Sequence, residues 1–412
     1  MAKKPHWEYK KYKLAFLTHN GESLNTRAGA MGKKRLQKVL PASALFLAGL
    51  LTITWSCTQK EPIKIGLAIN LSGQNGATGE DIRDGALLAM DQINHTGGIN
   101  GKRLIIITKN DKGTREGIID ADKDLIDKGC IAIIGHSYSE DTMIAYPYVT
   151  SRGVILFSPY TATSELSGKD DLFIRTVPDT RAYGRAIANL LSKRRADKAA
   201  FLLAPSNKSF CEDMFHETKK YFKGAAVPVW FRPGPDDSLG EAVKELIKTG
   251  ADAIILVTDE VSTGIAAQKL RNAGFRGGLI GTIWAQGPTM LQYGGKAVEG
   301  MTIISPTYPD KDSKAFLDFS AALGKRFNIK PSSKSLRAYE AVYILSEALK
   351  KCPKRGAISP SGLKAALLGN EFKGVLGTVR FDKYGDVIRP IYEIQVQNGR
   401  GIKKSELSWP EK

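Results

Sequence analysis

The sequence predicts an α/β protein of two Rossmann-like lobes with parallel sheets. Three observations carry this. Short β-rich runs alternate with helical patterns, the alternation restarts after Pro178, and a helical stretch follows that has too few strands to stand alone.

The first series opens with a strand from Ile63 to Ile69. A helix from about Glu80 to Asn94 then sets Ile82, Ala86, Met90 and Ile93 on one face, and Gly97 and Gly98 end it. The unit repeats as strand Leu104 to Thr108, helix Glu116 to Asp127, strand Ile131 to Ile134, helix Glu140 to Thr150 and strand Val154 to Phe157. The second series runs from helix Arg181 to Lys193 through strands at Ala199 to Leu203, Val227 to Trp230, Ala253 to Val257 and Leu279 to Ile280. Helices at Phe210 to Phe222, Gly240 to Lys248 and Ser262 to Ala273 separate them. Helices at Phe316 to Phe327 and Leu336 to Leu349 follow, and they must pack on an existing lobe. Strands near Thr378 to Phe381 and Ile391 to Val396 close the chain, joined by the turn residues Asp382 to Asp386.

Composition is that of a globular protein, with 42% hydrophobic and 25% charged residues. Of the net charge of +18, residues 1–56 hold +8, which leaves +10 spread along the rest. With no basic helix and no Arg interleaved with stacking aromatics, nucleic acid is excluded as a partner.

Near the N-terminus Lys33, Lys34, Arg35 and Lys38 precede an apolar run of 13 residues, Val39 to Leu51, and Thr52 to Ser56 lead to Cys57. The run is short of the ~20 residues a membrane-spanning helix needs. Residues 31–56 resemble a bacterial lipoprotein signal peptide, which implies that Cys57 is lipidated and becomes the new N-terminus; plain cleavage is the alternative. Residues 1–30 carry no periodic pattern and read as an extension upstream of a start at Met31. Cys130, Cys211 and Cys352 remain, which allows at most one disulfide, and Cys130 reads as a small buried hydrophobe.

Enzymatic motifs fail. Gly135-His136-Ser137-Tyr138-Ser139 nearly matches a nucleophile elbow but ends in Ser. No phosphate or dinucleotide cradle is encoded, and the five His show no ligand spacing, so no cofactor and no metal is expected.

Five segments then fall in a familiar order: Leu71-Ser72-Gly73, Ala89 to Asn94 with Gly97-Gly98, Gly135 to Ser139, Phe157-Ser158-Pro159, and Phe381 to Asp386. Over residues 63 to about 400 the chain resembles the leucine/isoleucine/valine-binding-protein-like family, type I periplasmic solute-binding proteins that deliver ligands to ABC importers. The resemblance implies three interlobe crossings, near Thr176 to Asp179, Ser305 to Tyr308 and Gly374 to Thr378. Lobe one is then 63–178 plus 306–373, lobe two 179–305 plus 374–400, and 401–412 a tail. It also implies a ligand cleft between the lobes and permease and ATPase partners, and the lipoprotein-like signal implies a protein held at the extracytoplasmic face by its lipid anchor. The same module serves as a sensor in receptors. A sensor would add a signalling element, and the chain ends about a dozen residues after the last expected strand, which favours transport.

Ligands in open α/β sheets bind beyond the carboxyl ends of strands. The loop after Ile134 offers Ser137, Tyr138 and Ser139, with a helix beginning at Ser139. The resemblance gives Ser139 the ligand's carboxylate; a helix cap is the alternative. After Phe157, Tyr160 is a candidate for the cleft wall. The family's threonine for the ligand's amino group aligns with Ala162, and Thr161 or Thr163 would take the role after a one-residue slip. Phe210 stands where the family carries a tyrosine. Asp259 replaces an aromatic and also reads as a helix N-cap, and Trp284 lies where amino-acid binders often carry an acid. The expected ligand is an amino acid, branched-chain or related, with an aromatic or other simple carboxylate among Tyr138, Tyr160, Phe210 and Trp284 as the alternative.

Overall fold

The computed structural model describes residues 60–73, 76–231, 238–353 and 356–407; Cys57, the signal segment and residues 1–30 lie outside them. The first lobe alternates β1 (Ile63–Ile69), α1 (Gly76–His95), β2 (Leu104–Asn110), α2 (Arg115–Asp127), β3 (Ala132–Gly135), α3 (Ser139–Ser151), β4 (Ile155–Ser158) and β5 (Phe173–Arg175). Its sheet runs β2-β1-β3-β4-β5 with every pairing parallel. Strands without polar alternation need cover on both faces. Ile65, Leu67 and Ile69 pack with Ile82, Ala86 and Ala89 of α1. Ile133, Leu156 and Phe173 pack with Ile118 and Leu125 of α2 and Val149 of α3.

The second lobe repeats the scheme with α4 (Thr180–Lys193), β6 (Lys198–Leu203), α5 (Lys208–Tyr221), β7 (Ala225–Trp230), α6 (Ser238–Lys248), β8 (Ala253–Val257), α7 (Glu260–Asn272), β9 (Gly278–Thr282), α8 (Pro288–Gly294) and β10 (Thr302–Ser305). The chain then returns to the first lobe as α9 (Lys314–Phe327), α10 (Ser333–Lys351), α11 (Pro360–Leu368), β11 (Phe372–Gly374), β12 (Gly377–Phe381) and β13 (Val387–Ile388). It finishes in the second with β14 (Tyr392–Gln397) and β15 (Arg400–Glu406), giving a sheet ordered β15-β14-β10-β9-β8-β6-β7. The pairings among β6 to β10 are parallel, whereas β14 pairs antiparallel to both β10 and β15.

One close approach sets the position of α10. A Cβ on Gly85 of α1 would lie 2.1 Å from the carbonyl oxygen of Ser335, so a glycine is required where the two helices meet. Ala338, Ala341, Val342 and Leu345 thereby reach the core beneath α1.

Three expectations are corrected. The turn Asp382 to Asp386 joins β12 to the short β13 and not to the strand at Ile391, because the Asp382 carboxylate accepts the N–H groups of Tyr384, Gly385 and Asp386 and closes a hairpin. Residues 374–388 stay with the first lobe, since Val379, Phe381 and Val387 bury in its core beside Phe157 and Phe372; the last passage between lobes falls between Ile388 and Ile391. The segment taken as a tail contains β15, formed by the turn Asn398-Gly399 with both residues at positive φ, the conformation that suits a tight hairpin. Cys130, Cys211 and Cys352 are buried in three different cores and unpaired. Among the described residues no helix is long and apolar enough to cross a membrane.

Candidate ligand cleft

Strand order reverses at β1/β3 in the first sheet and at β6/β8 in the second, and such reversals open crevices at the carboxyl ends of strands. The loops after β3, β4, β6, β8 and β9 converge on one cavity of about 410 Å³ between the lobes. From the first lobe Ser137, Tyr138, Tyr160, Asp81, Lys334 and Arg337 line it; from the second, Asn207, Phe210, Asp259, Glu260 and Trp284.

The loop after β3 is held rigidly. His136 is fully buried, with Nδ1 2.7 Å from Asp111 Oδ2 and Nε2 3.2 Å from Asp122 Oδ1. Burial, the largest influence, pushes the imidazolium down, but Asp122 and Asp111 outweigh it and hold its pKa at about 10. The Ser137 hydroxyl oxygen accepts the Asn70 N–H at 3.2 Å and so ties the two loops at the switch point. Tyr138 meets Trp284 of the other lobe edge to face with centroids 5.7 Å apart, and Phe210 meets the same indole at 6.2 Å. Tyr160 donates its hydroxyl to the Lys334 carbonyl at 2.9 Å, and the Arg337 guanidinium lies 4.8 Å over its ring. Burial pushes the phenols of Tyr138 and Tyr160 up, which keeps both as neutral walls.

Three candidates stand elsewhere. Ser139, Thr161 and Thr163 are buried and do not line the cavity. The Ser139 oxygen accepts the Ala162 N–H at 3.1 Å, which is packing between two loops and not a helix cap. Thr161 is bonded to Thr142 at 2.6 Å and Ser158 at 2.8 Å, and Thr163 donates to Asp213 at 3.2 Å and caps a short turn. Asp259 lines the cavity and also caps α7, accepting from Ser262 N at 3.0 Å and Ser262 Oγ at 2.6 Å.

Asp81, Asn207, Glu260, Lys334 and Arg337 were missed. Lys334 is 8% exposed, and its ammonium pairs with Glu260 across the lobes. Burial and the Arg337 charge lower its proton affinity, while the charges of Asp81 and Asp259 oppose them. Burial raises the Asp81 pKa, against which hydrogen bonding from Ser332 and the charge of Lys334 act. Further contacts hold the lobes together at two edges. Glu140 N–H donates to Asn207 at 3.2 Å, Ser209 N–H donates to Glu140 at 2.9 Å, and Ser333 Oγ donates to the Gln286 carbonyl at 2.8 Å.

Two α/β lobes meeting over a cavity walled by aromatic and charged side chains are the arrangement of a two-lobed solute-binding protein. The periplasmic binding protein family model matches residues 62–401. A leucine-, isoleucine-, valine-, threonine- and alanine-binding protein of Pseudomonas aeruginosa is 25% identical over 364 residues, which span 86% of this chain and 94% of that one. The substrate-binding protein of a branched-chain amino acid transporter from Streptococcus pneumoniae, solved with isoleucine, superposes with a TM-score of 0.73 at 23% identity, covering 84% of this chain and 100% of that one. A solute-binding protein of an ABC transporter from R. palustris, solved with benzoate, gives 0.72 at 18% identity over 84% and 96%. The chain belongs to the periplasmic binding protein family, in its leucine/isoleucine/valine-binding-protein-like branch, whose members are solute-binding proteins and not enzymes.

Proposed function

We propose that this chain is the extracytoplasmic substrate-binding component of an ABC importer. It is anchored by lipid on Cys57, captures a small carboxylate-bearing solute by closure of its lobes, and presents it to permease and ATPase partners. The observation that carries this reading is the cavity of about 410 Å³ at the carboxyl ends of both sheets, to which both lobes contribute walls, a volume suited to one small molecule. The relatives that bind leucine, isoleucine and valine support an amino acid as cargo. The aromatic quartet of Tyr138, Tyr160, Phe210 and Trp284, together with the benzoate-bound neighbour, supports an aromatic carboxylate as the second reading.

A thermal-shift screen against amino acids, amides and aromatic acids tests the proposal. Ligand at 100 times its Kd stabilises the folded state by about 2.7 kcal/mol, a visible rise in midpoint. No shift with any carboxylate would count against capture. For the anchor, mass spectrometry of membrane-extracted protein should find Cys57 as a lipidated N-terminus; an unmodified Cys57 would remove that part of the proposal.

A further inference from the structure

Among the described residues four Lys and Arg side chains are buried: Arg175, Lys334, Arg337 and Arg389. Arg175 pairs with Asp386 at 2.7 Å and Asp179 at 3.7 Å, and Lys334 pairs with Glu260. Arg337 has no carboxylate. Its Nε donates to the Ser333 carbonyl at 3.0 Å and its Nη1 to the Pro159 carbonyl at 3.3 Å, and no hydrogen bond holds Nη2. The neighbouring Arg389, which adds like charge, is already committed to Glu340 at 2.8 Å. A guanidinium 5% exposed, lining a cavity and lacking a counter-charge, is costly to maintain unless an anion arrives there.

The acids facing the cavity are already engaged. Glu260 holds Lys334 and the Thr289 N–H, Asp259 holds two groups of Ser262, and Asp81 is hydrogen-bonded by Ser332 within the field of Lys334. An arriving ammonium would therefore compete with partners that each of these carboxylates already has. Resting on the reading of the cavity as a solute site, we propose that Arg337 is the ligand's counter-ion and that the solute binds as a net-anionic monocarboxylate, aromatic or branched aliphatic, and not as a zwitterion. Its carboxylate takes the open edge of the guanidinium fork, where planar bidentate pairing is favoured. Its apolar body rests among Tyr160, Tyr138, Phe210 and Trp284.

The test is titration calorimetry with skeleton-matched probes, leucine against 4-methyl-2-oxopentanoate and phenylalanine against 3-phenylpropanoate, with benzoate added. The parent protein should bind each anion at least tenfold more tightly than its amino acid. Arg337→Gln should lose at least tenfold for the anion, and Arg337→Lys should recover part of that loss. Tighter binding of leucine or phenylalanine than of its anion overturns the inference and leaves solute capture standing, as does an Arg337→Gln protein that binds the anion like the parent. Absence of binding by every probe overturns both. The comparison on the parent protein decides the matter even if Arg337→Gln fails to fold.

Discussion

The Tyr138 ring of the first lobe and the Trp284 indole of the second meet at 5.7 Å and 64°, an edge-to-face contact made across the cleft. It exists only while the lobes are shut. Such pairs contribute about 0.5–1.5 kcal/mol beyond the area they bury, and Phe210 adds a second one on the same indole. Trp284→Ala should therefore weaken ligand binding by roughly tenfold. Calorimetry showing parent affinity in the variant would mean that the aromatic wall does not form part of the site.

Glu260 and Lys334 form the charged latch of the closed state, with side chains only 11% and 9% exposed. Removing one partner of a buried pair leaves the other uncompensated and costs about 3–5 kcal/mol. Glu260→Gln should speed ligand release by well over tenfold. The double change Glu260→Leu with Lys334→Met should be far less severe than the two single changes added together. Additive effects in stopped-flow release measurements would show that the two groups do not act as a pair.

The clamp on the β3 loop is testable by pH. Because Asp122 and Asp111 hold His136 protonated to about 10, its folded pKa lies above the unfolded value near 6.5. The stabilisation is then complete below about pH 6.5 and is lost as pH rises toward 10, at about 1.4 kcal/mol per pH unit. Asp141, pushed by burial up to about 7, loses its own contribution in the adjacent lower window. Lys334, pushed by burial down to about 7, adds stability with rising pH between 7.5 and 9.5, so the histidine is read from the difference between parent and variant in that window. The His136 Cε1 proton should keep its imidazolium chemical shift from pH 6 to 9, and urea midpoints should fall more steeply with pH in the parent than in His136→Gln. A titration near pH 6.5 would refute the clamp.

The alternating lobes were legible because runs such as Ile63 to Ile69 and Ala253 to Val257 are apolar without alternation, the pattern of strands buried on both faces. Phe173–Arg175 was not, being three residues long, and β15 was hidden by its exposed, lysine-bearing edge. The Asn398-Gly399 pair was the available signal for that last hairpin. In the site, Ser137, Tyr138, Tyr160, Phe210, Asp259 and Trp284 could be found because they follow strands, the one position that topology marks as functional. Lys334 and Arg337 sit on α10, which follows no strand. Their signal was register: positions 334, 337, 341 and 345 share the face that carries Ala341 and Leu345 into the core, so charge at 334 and 337 had to be buried. The role that the resemblance gave to Ser139 rested on an alignment, and its hydroxyl oxygen is taken up by Ala162.

Among the described residues the chain passes between the lobes at 176–179, 306–313 and 389–390, so closure on a solute would be absorbed by these segments. Small-angle scattering of the protein with and without a ligand identified by the thermal-shift screen measures that movement directly. The radius of gyration should fall on binding, and the bound curve should match the one calculated from the closed arrangement described above. A saturating ligand that leaves the radius of gyration unchanged, with the free protein already matching the closed curve, would contradict capture by closure.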